Sequence, residues 1–123
     1  MNYNLISISI IAVLFIVIFA SGYRLKQTEK PYNTITFNVH KLIGLAVIAA
    51  LIVKSYNIYQ ISEYNLIQWF SIIVNGILFL TVVISGGLLS IEKTMPEGLK
   101  MWHLIISYLT LISTIITIYV TSV

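Results

Sequence analysis

The sequence predicts an all-α membrane protein: one domain built as an antiparallel, up-down-up-down bundle of four transmembrane helices. Three observations carry that expectation. Hydrophobic residues make up 59% of the 123-residue chain and charged residues only 9%, with a mean hydropathy of +0.97, whereas soluble domains are about half apolar and a quarter charged. The apolar residues gather into four stretches, each close to the ~20 residues a helix needs to cross the hydrocarbon core. Short polar segments join them, and short connections favour antiparallel neighbours.

Span one covers about Leu5 to Gly22 and contains no charge. The small residues Ala20-Ser21-Gly22 resemble the end of a secretory signal, but no basic segment precedes the span. Arg24 and Lys26 follow it instead, which suits an uncleaved helix with its amino end outside. The segment from Tyr23 to Thr34 is polar, contains Pro31 and reads as a loop. Span two runs from about Ile35 to Asn57, with Lys41 and Lys54 near its ends, where a long stem can return the ammonium to the headgroups.

Tyr56, Tyr59, Tyr64 and Trp69 then form an aromatic belt, with Glu63 as the only acid among them. Span three runs from about Leu66 to Ile91 and carries Asn75, Gly76, Ser85, Gly86 and Gly87, which allow a neighbouring backbone or a flat ligand to come close. The charged segment from Glu92 to Gly98 contains Pro96, and span four runs from about Leu99 to Thr121. No internal sequence repeat is strong enough to use.

Charge sets the orientation. Arg24, Lys26, Lys30, Lys41, Lys93 and Lys100 flank one set of span ends and Lys54 the other. The positive-inside rule therefore places loops 23–34 and 92–98 in the cytoplasm and both termini outside. The net charge of +3 is thus a topology signal rather than a nucleic-acid signature. Cysteine is absent, so disulfides and thiolate-held metals are excluded. No phosphate-binding glycine loop, nucleophile–base pair or paired carboxylates point to a hydrolase or transferase. No acidic residue lies at mid-membrane to carry protons or cations, which argues against a transporter. The abundance of Ile and Asn hints at an AT-rich microbial genome.

His40 and His103, the only histidines, lie a few residues inside spans two and four. Both spans run from inside to outside, so both rings are expected roughly 6–8 Å into the hydrocarbon from the cytoplasmic face. His103, Ser107, Thr110, Thr114, Thr117 and Thr121 form a heptad seam of small polar residues, which should turn inward. Gly44 lies one turn from His40, and Gly86 and Gly87 come at the same depth.

Haem suits such a place. It is flat and largely apolar, and its iron takes imidazole on one or both faces. Arg24, Lys26, Lys41, Lys93 and Lys100 are the cations available for its propionates. Zinc fits less well, since it wants three or four ligands and only Glu92 and Glu97 are near. The plainer expectation is that each histidine hydrogen-bonds a serine or threonine across the helices, with Ser85, Ser90 and Ser107 as partners. Lys54 is expected to snorkel, with an anionic or quinone headgroup as its less favoured partner, and Asn75 to bond the threonine seam. Met95 and Met101 are weak alternative axial ligands.

The stretches Phe37-Asn38-Val39-His40-Lys41-Leu42-Ile43-Gly44-Leu45, Ser85-Gly86-Gly87-Leu88-Leu89-Ser90 and Trp102-His103-Leu104 together resemble small four-helix membrane b-type cytochromes, broadly the cytochrome b561 group. The resemblance implies haem b with His40 and His103 as its axial pair. That group has more ligand histidines and two haems, whereas two histidines allow only one here. A single haem near one face implies exchange with quinone or a redox protein rather than transmembrane electron transfer by the monomer. A homo-oligomer or a larger membrane complex remains open. The rival expectation is a cofactor-free membrane subunit that stabilises or assembles a larger complex.

Overall fold

A computed structural model describes residues 3–27, 34–91 and 97–122. Of the described residues, 96% are helical, in four helices: α1 (Tyr3–Gln27), α2 (Thr34–Ile61), α3 (Leu66–Ile91) and α4 (Glu97–Ser122). All four are long and apolar enough to cross a membrane. Lys30, Pro31, Glu92, Lys93, Met95 and Pro96, on which the loop and charge readings drew, lie outside the described residues.

Span three has the bounds its sequence predicts, and the others differ at their ends. α1 continues through Tyr23–Gln27, which reads as loop in sequence. No glycine or proline interrupts that stretch, and Arg24 and Lys26 stand in its last turn, where cations favour the helix dipole. α2 continues past Asn57 to Ile61. The start of α3 is sharply defined. Asn65 Oδ1 accepts from the Gln68 backbone N–H, and Gln68 Oε1 accepts from the Asn65 N–H, both at 2.9 Å. This is a reciprocal capping box.

The distribution of polarity is inverted relative to a water-soluble protein. Among the described residues the buried apolar side chains are Ile11, Phe15, Leu25 and Val47. The buried polar ones are Lys54, Asn75, Ser85, Thr110, Thr114, Thr117 and Thr121. Large apolar side chains such as Ile16, Ile35, Leu66 and Phe70 are turned outward. This is the pattern expected of helices that can span a membrane, since lipid gives no reason to hide isoleucine and small polar residues suit the interfaces. No buried side-chain nitrogen or oxygen lacks a hydrogen-bond partner among the described residues. Many hydroxyls bond back to a carbonyl three or four residues earlier, as Ser9 to Leu5, Thr81 to Ile77 and Thr110 to Ile106.

The chain divides into two compact units, Met1–Asn57 and Ile58–Val123. In the first, α1 and α2 pair antiparallel. Lys54 Nζ donates to Ser7 Oγ at 3.1 Å, Gly44 sits against Ile18, and His40 reaches Ser21. In the second, α3 and α4 pair in the same sense. Gln68 donates to the Val120 carbonyl and Thr117 to that of Ser71, Thr114 Oγ1 lies 3.1 Å from Asn75 Oδ1 and 2.7 Å from the Thr110 carbonyl, and His103 reaches Ser85. The Asn75 bond to the threonine seam is the one its sequence predicts. Tyr59, Tyr64 and Trp69 cluster beside the turn into α3, with ring centroids 5.5–6.0 Å apart.

Candidate functional site

Each histidine lies six residues past the first residue of its helix, half-buried against the other helix of its hairpin. Ser21 Oγ lies 3.0 Å from His40 Nδ1 and donates to the Ile18 carbonyl at 3.0 Å. The same carbonyl lies 3.2 Å from His40 Nδ1. A hydroxyl has one proton and a carbonyl has none. The ring can therefore donate from Nδ1 to the Ile18 carbonyl, with the serine oxygen beside it. His103 shows the same arrangement: Ser85 Oγ donates to the Val82 carbonyl at 3.0 Å and lies 2.7 Å from His103 Nδ1. At His40 the Ile18 carbonyl can only accept, which favours a proton on Nδ1; at His103 the serine is the contact shown at Nδ1.

The residue after each serine is a glycine under the ring. A Cβ on Gly22 would come 3.0 Å from His40 Cε1, and one on Gly86 would come 3.2 Å from His103 Cε1. Any larger residue would push the imidazole away. Each ring thus meets a hydroxyl at Nδ1 and has a glycine beside Cε1, where a side chain would crowd it.

Other residues with an expected role lie elsewhere in their hairpins. A Cβ on Gly44 would meet Ile18 Cδ1 at 3.3 Å, so this glycine admits α1 rather than clearing space beside His40. Gly87 has open space where a side chain would stand. Ser107 bonds the His103 carbonyl of its own helix, and Ser90 bonds that of Gly87. Lys41 lies over the Phe37 ring, 5.1 Å from its centroid. Arg24 is exposed and Lys100 half-exposed, near the histidine ends of their helices, and Met101 is exposed. Lys54 does not snorkel. It is only 4% exposed and turns inward to Ser7, beside an open cavity of about 310 Å³ otherwise walled by Ile6, Ile10, Ile11, Ala49, Ala50 and Val53. Among the described residues, no group of three or more His, Cys, Asp or Glu could hold a metal ion.

The matching contacts expose an internal repeat that the sequence alone did not make usable. Residues 7–25 correspond to residues 71–89 at a shift of 64, and residues 40–56 to residues 103–119 at a shift of 63. Ser7, Ile8, Leu14, Phe15, Ser21, Gly22 and Leu25 meet Ser71, Ile72, Leu78, Phe79, Ser85, Gly86 and Leu89. His40, Ile43, Ile52 and Tyr56 meet His103, Ile106, Ile115 and Tyr119. Even the contact between Lys54 and Ser7 has a counterpart in the one between Thr117 and Ser71. No family model, curated protein or solved structure matches the chain.

Ser21 and Gly22 are the site residues that sequence reasoning missed, because they read as the small-residue end of span one. The signal that finds them is the second Ser-Gly pair, Ser85-Gly86, at the same point of the other hairpin.

Proposed function

We propose that this chain is an integral membrane b-type cytochrome of four antiparallel spans. It binds one haem b, with His40 and His103 as axial ligands, near the cytoplasmic face, and exchanges electrons with a quinone or a redox protein. The observation that carries the reading is the repeated histidine setting, in which each ring meets a serine of the facing helix at Nδ1, a contact that leaves Nε2 as the nitrogen to offer a metal. Iron in haem asks the protein for one or two such nitrogens, while zinc asks for three or four ligands. The donor set fits the first and not the second.

The repeat supports a shared ligand. Each copy carries one histidine, six residues past the start of its second helix. Arg24, Lys26, Lys41 and Lys100 belong to that end of the helices and serve the propionates. By the positive-inside rule it is the cytoplasmic end, with both termini outside. Bound haem supplies one-electron chemistry at its iron; the protein's part is to supply two nitrogens and an apolar surrounding.

A second reading has an observation of its own. Each histidine is already hydrogen-bonded to a serine within its hairpin, as suits a cofactor-free subunit of a larger complex. Visible spectra of detergent-purified protein, expressed with ample haem, decide between them. The cytochrome reading expects a Soret band and a low-spin reduced spectrum, both altered in His40→Ala and in His103→Ala. A protein without a Soret band would sink the cytochrome reading and leave the cofactor-free one standing.

A further inference from the structure

The two hairpins differ over much of their length. The interface positions Ile11, Val47 and Leu51 of the first are Asn75, Thr110 and Thr114 in the second, exchanging an apolar seam for a hydroxyl-lined one. Both copies nevertheless keep a serine, a glycine and a histidine in the same mutual contact. Apart from Lys54, which bonds Ser7, the buried residues described in the first hairpin are apolar, Ile11, Phe15, Leu25 and Val47, and Ser21 is kept there beside His40.

We propose that Ser21 and Ser85 are positioning residues that fix the tautomer of the opposite imidazole and thereby present Nε2 as its ligating atom. Each serine is itself held by its bond to the carbonyl three residues earlier, Ile18 or Val82. When the hydroxyl proton lies in that bond, the oxygen facing the ring can only accept. The histidine is left one way to satisfy it, with its proton on Nδ1. In metal sites an acceptor at the far ring nitrogen orients the imidazole and raises its basicity at the ligating one. The glycine that follows each serine sets the ring's distance from the helix, nearest at Cε1. The serine and glycine thus act as a pair: the first sets the protonation of the ring and the second its position. The iron-binding role of Nε2 rests on the haem reading above, while the tautomer does not.

The test separates the two. Haem-free protein labelled with 15N-histidine, in lipid or detergent, should show both rings protonated at Nδ1 and bare at Nε2. A dominant Nε2–H tautomer at either histidine would overturn the proposal. In haem-loaded protein, Ser21→Ala and Ser85→Ala should each weaken haem binding by about 10–100-fold and raise the midpoint potential, because the ligand loses basicity. Ser21→Thr and Ser85→Thr keep a hydroxyl and should restore both. Alanine variants that fold and keep the wild-type potential and affinity would make the serines structural only, and the proposal would fail. If no haem binds yet both rings are Nδ1–H, the cytochrome reading falls and the tautomer assignment holds.

Discussion

Lys54 and Ser7 join α2 to α1 by a 3.1 Å hydrogen bond at a site only 4% exposed on the lysine side, and the equivalent positions of the second hairpin, Thr117 and Ser71, are joined as well. One contact position is thus filled by a cation in the first hairpin and by a neutral hydroxyl in the second. Replacing a buried charge by an apolar side chain of similar size is often neutral or stabilising, whereas removing its partner is not. Lys54→Met should therefore keep or raise the unfolding temperature in detergent. Ser7→Ala, with the lysine retained, should cost about 1–3 kcal/mol. Scanning fluorimetry of both variants checks this, and a larger loss in Lys54→Met would contradict it.

The glycines under the histidines should be far less replaceable than a glycine facing open space. Gly22→Ala and Gly86→Ala place a methyl 3.0 and 3.2 Å from a ring carbon, and such overpacking costs about 1–3 kcal/mol. Gly76 has nothing within 4 Å of an added Cβ. Gly76→Ala should stabilise α3 by up to about 1 kcal/mol through helix propensity. Haem content per protein should fall in the first two variants and stay at the wild-type level in the third. Equal haem content in all three would show that the rings do not depend on the glycines.

Asn75 and Thr114 make a buried bond between α3 and α4 at positions occupied by Ile11 and Leu51 in the first hairpin. Interhelical hydrogen bonds in membranes average about 0.6 kcal/mol, with a maximum near 1.7. A double-mutant cycle of Asn75→Leu and Thr114→Val, read by unfolding in mixed micelles, should return a coupling in that range. A coupling near zero would mean that the pair merely packs.

The proposed orientation has a direct readout because the chain contains no cysteine. Single substitutions Gln27→Cys, at the end of α1, and Ser62→Cys, just past the end of α2, should lie on opposite faces of the membrane. An impermeant maleimide applied to intact cells should label Ser62→Cys and leave Gln27→Cys unlabelled. The reverse pattern would invert the topology and put the histidine ends of the helices outside.

Helix number and the bounds of α3 were legible in sequence because twenty-odd apolar residues in lipid have one hydrogen-bonded conformation available. Helix ends were less so. Tyr23–Gln27 contains no breaker, yet its charges gave it the composition of a loop. The inward face of α4 followed from its hydroxyl spacing, and Asn75 was matched to that seam correctly. Lys54 was misjudged because length and charge alone suit snorkelling, and only the position of Ser7 on a helix 47 residues away shows that it turns inward. Ser85 could be named as a partner for His103, but Ser21 could not be matched to His40, since a bond across 19 residues depends on how α1 and α2 register. Gly44 failed for the converse reason: nearness to His40 along one helix says nothing about what the facing helix brings to that spot.

The repeat has a practical corollary for engineering. Each position in one hairpin comes with a residue already accommodated at the matching place in the other: valine or threonine at 47 and 110, lysine or threonine at 54 and 117, isoleucine or asparagine at 11 and 75. Exchanging such pairs between halves makes the chain its own reference set. Swaps tolerated in both directions mark interchangeable packing, and those tolerated in only one direction mark where the two halves have acquired separate duties.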